Sequence, residues 1–270
     1  MLATDKVFAG TIPDIYDRYL VPLIFESYAL DLAQRVTITD PKIMLETAAG
    51  TGVLTRAIAP LLPEYAHIVA TDLNQQMLER AKTRQHSDHR IEWKQADALS
   101  LPFADRGFDV VACQFGVMFF PDKVRGYKEA RRVLKPGGRF VFNVWDRISE
   151  NEFANTVTEA LAALFPHDPP RFLARTPHGY FDMERIHADV NAAGFSDISV
   201  DTVNGTSKTS SPLDPAIAYC QGTPLRNEIE ARGATCLDDA TKWAAEALAN
   251  RFGTGEIEGR IRAFVVTAVR

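Results

Sequence analysis

Three acidic residues, Glu46, Asp72 and Asp97, each stand at or just past the end of a short β-prone run, and two glycines follow the first of them in Glu-Thr-Ala-Ala-Gly-Thr-Gly. A strand-to-helix turn of this kind bends sharply and lets the backbone approach a ligand, and the helix that follows offers unpaired N–H groups to a carboxylate. A bend that merely needs positive φ accounts for the glycines equally well. Taken singly, each acid is also explained as a helix N-cap or a turn former. Their recurrence at the carboxyl ends of three successive strands points to a ligand, because open α/β sheets bind ligands along that edge. Asp72 lies 20 positions beyond Gly52, the offset at which an acid accepts hydrogen bonds from ribose hydroxyls; Asp97 is placed to accept from an adenine amino group.

Charge narrows the ligand. A nicotinamide dinucleotide calls for a third small residue where Thr55 stands, and Glu46 would repel its pyrophosphate. A ligand bearing an ammonium and a sulfonium suits the carboxylate, and S-adenosylmethionine carries both. Methyl transfer from it needs orientation and desolvation more than acid-base chemistry. No catalytic base is assigned, although His178, in the stretch RTPHGYF, is the first histidine to consider; His67, His86, His89 and His187 fall in strand, helix or surface turns, and His167 sits beside prolines. No metal site is expected. Phe119, Trp145, Phe172, Tyr180 and Phe181 are candidates to wall an apolar acceptor pocket, or to be ordinary core.

The elements that position these residues alternate. Short strands are predicted at 43–47, 67–72, 91–94, 108–114 and 139–145, with helices at 53–62, 75–85 and 121–134, the last stopped by Lys-Pro-Gly-Gly. Helices at 152–164 and 183–193, then strands at 197–203 and 262–269, complete the pattern. This is a doubly wound, Rossmann-like α/β fold: seven strands, mostly parallel, with an antiparallel last strand and a small insertion or lid. The expected organisation is an N-terminal helical cover (1–40), a binding core (41–204), an insertion between the last two strands (205–261) and the final strand (262–270). The run Gly205–Pro215, GTSKTSSPLDP, reads as a polar seam leading into that insertion, where Tyr219 and Trp243 are candidate packing or acceptor contacts.

Composition bounds the partners. The 270 residues are 46% hydrophobic, enough for a full core, and the net charge of −5 gives no general attraction to nucleic acid or anionic lipid. Three scattered cysteines, Cys113, Cys220 and Cys236, suggest neither zinc nor disulfides. With no continuous apolar segment at the N-terminus and none of membrane-spanning length, a cytoplasmic protein is expected.

Four segments together, LETAAGTGVLT, VATDLNQQML, QADALSLPFADRGFDVV and ARRVLKPGGRF, resemble the class I S-adenosylmethionine-dependent methyltransferases, particularly the quinone-biosynthesis and related small-molecule group. The resemblance runs from Tyr16 to Trp145 and returns in AGFSDISV. It implies that Gly50, Thr51 and Gly52 surround the methionine part of the cofactor, that Asp72 binds ribose, and that Asp97 with the backbone of Ala98 reads adenine between Leu73 and Met77. Gln114 and Phe115 match positions that touch the methionine part and face the substrate. Tyr19, in an aromatic N-terminal segment of helical period, is the preferred residue covering the cofactor. One departure is Ala48, where the family usually has its first glycine; it tightens the turn.

The implied activity is methyl transfer to an O, N or C atom of a small molecule. Nucleic acid is not the expected acceptor: the tetrad of base amino methyltransferases is absent from CQFGVMFF. A non-catalytic module that binds S-adenosylmethionine for regulation is the alternative, resting on Ala48 alone.

Overall fold

Apolar runs of four to seven residues between polar turns make the central strands of the computed structural model, which describes Asp5 and residues 7–85, 87–233 and 236–270. His86 and Met1–Thr4 lie outside the described residues, as does the Cys236 side chain. The strands are β1 (Ile43–Glu46), β2 (His67–Asp72), β3 (Ile91–Gln95), β4 (Phe108–Gln114), β5 (Leu134–Trp145), β6 (Ser196–Thr209) and β7 (Ile257–Val269), in the sheet order β3-β2-β1-β4-β5-β7-β6. The pairs β1/β2, β1/β4, β2/β3 and β4/β5 are parallel. β7 runs antiparallel to β5: Arg270 N–H bonds the Gly138 carbonyl at one end, and Asp146 N–H bonds the Arg262 carbonyl at the other. The first five strands reverse their order beside β1, the topological switch point where such sheets bind ligands.

The chain divides into two compact units. One comprises Ser27–Val144, Tyr180–Val203 and Ala263–Arg270. Its core packs Leu32, Ala33 and Val36 of the helix Glu26–Thr37 and Leu54 and Ile58 of the helix Val53–Ile58 on Met44, Ile68, Val110 and Val141 of the strands. The other comprises Met1–Glu26, Trp145–Gly179 and Asn204–Arg262. Its main helices are Glu152–Leu164, Leu213–Gln221 and Cys236–Phe252, with Phe153, Leu161, Ala216, Tyr219, Ala244 and Leu248 buried. Trp243 is exposed. There Arg175 bridges Asp5 and Glu228, each at 2.6 Å.

Three differences from the sequence reading have local causes. Tyr16–Phe25 is a π-helix, not α: Pro22 cannot donate its share of the ladder, and the N–H of Glu26 bonds Val21 five residues back. Lys135-Pro136-Gly137-Gly138 stops the helix Lys123–Val133 but lies inside β5 as an irregularity; Leu134 already pairs with Phe108, and Gly137 takes φ 76°. The polar seam is strand as far as Thr209, and β7 begins at Ile257, so the stretch between the last two strands is 210–256, shorter than 205–261 at both ends. Between Pro166 and Pro177 lies one short helix, Phe172–Arg175. Among the described residues, no helix is long and apolar enough to cross a membrane.

Candidate functional site

β1 ends on Glu46, and the chain turns through three left-handed residues, Ala48 (φ 53°), Gly50 (φ 56°) and Gly52 (φ 78°), into the helix Val53–Ile58. For an L-residue this region is disfavoured, which accounts for the glycine usual at position 48. The turn closes with alanine in place, so the departure at Ala48 gives the non-catalytic alternative no structural support. Gly52 has no room for a side chain, since a Cβ there would lie 2.6 Å from the Trp93 ring. The turn is tied to its neighbours by Thr47 N–H to Ala112 (2.9 Å) and Ala49 N–H to Thr71 (2.8 Å).

Glu46 is 1% exposed and accepts a hydrogen bond from the Thr55 hydroxyl. Burial pushes its carboxyl up to about 8, with Asp72 adding to the rise and Thr55 and Arg56 opposing it. Its charge therefore differs from the sequence expectation: burial favours the protonated carboxyl at neutral pH. Asp72, buried at the end of β2, accepts from Gly50 N–H (2.9 Å) and Asn74 N–H (2.8 Å). Burial raises its pKa and these backbone donors oppose the rise. Together they aim the carboxylate at the glycine turn.

Leu73 is exposed and Met77 buried. Leu73 is linked to the end of β3 through its carbonyl, which accepts from Gln95 (2.8 Å). Ala96 N–H bonds the Asp72 carbonyl at 3.0 Å, bringing Asp97 and Ala98 next to the end of β2. Asp97 is exposed, and its carboxylate accepts from Leu99 N–H at 2.9 Å, the turn-forming role foreseen as its bland explanation. On the other side, Gln114 ends β4 and is buried, and Phe115 follows in the left-handed region at φ 49°. Gly116 presses on the turn: a Cβ there would meet the Ala48 Cβ at 2.5 Å. Glu46, Ala48, Gly50, Thr51, Gly52, Asp72, Leu73, Asp97, Ala98, Gln114 and Phe115 thus line adjoining strand ends of one unit, with Met77 on the following helix. Tyr19 is half-buried in the other unit, under the guanidinium of Arg18.

Sequence reasoning missed Asn143. Paired with Gln114 across β4 and β5, it is fully buried, and its Oδ1 accepts the Phe115 N–H at 2.8 Å, holding that residue in its unusual conformation. The signal was present, since Asn143 is the one polar residue in the otherwise apolar run FVFNVW. Asn143 Nδ2 and the Thr51 hydroxyl, the latter inside the turn itself, are buried with no partner among the described residues.

The methyltransferase domain family model matches residues 45–142, the stretch that builds these strand ends. The chain is 33% identical over 164 residues to a demethylmenaquinone methyltransferase of Clavibacter sepedonicus, covering 57% of this chain and 66% of that protein. It is 31% identical over 175 residues to a ubiquinone/menaquinone biosynthesis C-methyltransferase of Escherichia coli, covering 60% and 69%. In fold it is similar to a Haemonchus contortus phosphoethanolamine N-methyltransferase in complex with S-adenosyl-L-methionine, with a TM-score of 0.62 at 18% identity, over 100% of this chain and 60% of that one. A glycine turn bracketed by acids, on a seven-stranded sheet whose strand order reverses beside it, and relatives at this level of identity place the chain among the class I S-adenosylmethionine-dependent methyltransferases, in the group that includes the quinone-biosynthesis enzymes.

Proposed function

We propose that this methyltransferase acts on a small aromatic acceptor of the hydroquinone type, at a ring carbon. The names of the curated relatives, which are demethylmenaquinone and ubiquinone/menaquinone methyltransferases, support that class of acceptor. One observation carries the cofactor site: two buried acids, Glu46 and Asp72, bracket a left-handed turn whose Thr51 hydroxyl is buried with no partner among the described residues. An orphaned hydroxyl of this kind is costly unless a ligand completes it, so the residues present fit the methyl donor.

Thr51, with Gly50, Gly52 and Ala48, holds the amino-acid part. Glu46 meets its positive charge. Asp72, preset by Gly50 and Asn74, accepts from the ribose hydroxyls with lone pairs its backbone donors leave free. Leu73 and Met77 flank the adenine, and Asp97 with Ala98 reads its edge. Gln114 and Phe115 border the donor methyl, Asn143 fixing Phe115. S-adenosylmethionine supplies a methyl group on a sulfonium, already activated for displacement, so the protein's task is to orient it and exclude water. The test is incubation with tritiated methyl donor and a reduced 2-isoprenyl-1,4-naphthoquinone. Label is expected in the extracted quinone. Label only in other small molecules would remove the acceptor class, and no binding of S-adenosylhomocysteine by calorimetry would remove the cofactor site.

A further inference from the structure

The unit that carries the glycine turn has a cleft of about 400 Å³ at the opposite edge of its sheet. The turn follows the end of β1, whereas the cleft is formed by residues 39–42 ahead of β1, Asp109 near the start of β4, and residues 135–139 in the irregular part of β5. Its volume is in the range of small-molecule sites. The Lys-Pro-Gly-Gly excursion shapes it. A Cβ at Gly138 would lie 2.9 Å from the Asp109 and Lys135 carbonyls, so the excursion is pressed against β4, while a Cβ at Gly137 would meet nothing within 4 Å.

Five charged side chains line the cleft: Asp40, Lys42, Asp109, Lys135 and Arg139. Asp109 is fully engaged, its Oδ1 accepting from Lys135 Nζ at 2.6 Å and its Oδ2 from the Lys42 and Ile43 N–H groups at 3.0 Å each. That carboxylate and the Lys135 ammonium therefore cancel. Asp40, in the left-handed region at φ 49°, accepts from the Tyr65 hydroxyl at 3.1 Å. Among the described residues, none accepts from the Lys42 ammonium or the Arg139 guanidinium, although Arg139 is half-buried. Two uncommitted cations thus face one carboxylate.

Register directs Arg139. It pairs with Val110, which pairs with Met44, and both belong with Val141 to one core cluster, so Arg139 continues the row of Val141 on that face where the row leaves the core. β1 and β5 flank β4, roughly 10 Å apart, a gap that two long side chains close on one ion from both sides. A guanidinium offers paired N–H groups to two oxygens of a tetrahedral oxyanion, and an ammonium meets a third as a point charge.

We propose that this cleft binds the phosphate group of a small molecule, Arg139 holding two of its oxygens and Lys42 a third, at a site separate from the methyl-donor turn. The volume beyond one phosphate accommodates the group that carries it. This site stands whatever the methyl acceptor is.

The test is calorimetric titration with inorganic pyrophosphate at constant ionic strength, which keeps screening equal in every arm. Wild-type protein is expected to bind one equivalent saturably and to bind malonate, a dianion without phosphate geometry, more weakly. Arg139→Gln should weaken pyrophosphate binding about 10-fold or more, the loss of a charge-assisted pair, and Lys42→Gln should weaken it about 3- to 10-fold. Asp40→Asn should tighten it about 3-fold by removing the facing negative charge, and asparagine tolerates the left-handed backbone there. Lys128→Gln, on the exposed face of the helix Lys123–Val133, should bind as wild type does. Absence of saturable binding, equal affinity in wild type and Arg139→Gln, malonate bound as tightly as pyrophosphate, or an equal loss in Lys128→Gln would each overturn the assignment. Should Arg139→Gln fail to fold by circular dichroism, the opposite shifts of Lys42→Gln and Asp40→Asn decide, and no shift in either would overturn it.

Discussion

Replacing Glu46 by glutamine removes a titration that burial has displaced from its ordinary place. In the folded protein this carboxyl titrates at about 8, against 4.5 for the free group. Between those values the folded state holds a proton that the unfolded chain has released, so stability falls as pH rises across the window. The favourable contribution is complete below 4.5 and gone once pH has passed 8. At about 1.36 kcal/mol per pKa unit, the loss between pH 6 and pH 8 is roughly 2–3 kcal/mol. Glutamine keeps the shape of the protonated acid and an oxygen for the Thr55 hydroxyl, but does not titrate. Urea unfolding of both proteins from pH 5 to pH 9 should show the wild type losing that amount relative to Glu46→Gln, with the variant the more stable at alkaline pH. Parallel stability curves would refute the reasoning and leave Glu46 an ordinary ionised carboxylate.

Further outcomes follow from the same geometry. If the cationic donor draws Glu46 back to its ionised form, binding at pH 7 should release about 0.9 of a proton, the fraction protonated for a group titrating near 8; calorimetry in buffers of different ionisation enthalpy measures it, and no release would exclude direct coupling. Asp72→Ala should weaken S-adenosylhomocysteine binding by roughly 1.5–3 kcal/mol through loss of charge-assisted hydrogen bonds, and Asp97→Ala should weaken it less, both read as shifts in dissociation constant. Ala48→Gly should stabilise the fold by about 1 kcal/mol, because glycine takes the left-handed conformation without the 1–2 kcal/mol penalty of an L-residue. Gly116→Ala should destabilise it, since its Cβ would lie 2.5 Å from that of Ala48 and 2.7 Å from Cys113 Sγ. In the Ala48→Gly background the penalty should shrink but persist, a double-mutant cycle in thermal unfolding that isolates the contact.

Where the signal was local, the sequence was readable. β4 at Phe108–Gln114 and the helix Glu152–Leu164 have the bounds their patterns predict, because an apolar run or a helical stripe between turn residues is complete within its own window. The glycine turn was legible for the same reason: left-handed residues have few substitutes, and an acid before them is conspicuous. The π-helical winding at Tyr16–Phe25 was less so, since apolar spacing around Pro22 fits either helix. The Lys-Pro-Gly-Gly excursion inside β5 depends on Arg270, paired with Gly138 from the far end of the chain, which no local window contains.

By itself, then, the amino-acid order determined the alternation of strands and helices, the seven-stranded sheet class and the ordering of acids along one sheet edge, all of them consequences of periodicity and backbone conformational preference. Only the tertiary structure decided how those groups are charged and which are held by what. Burial turned Glu46 toward its protonated form, backbone donors preset Asp72, Asn143 reached across from β5 to Phe115, and the Asp146 carbonyl selected the tautomer of His178. Protonation and tautomer depend on desolvation and on partners distant in the chain, and these exist only once the chain has folded.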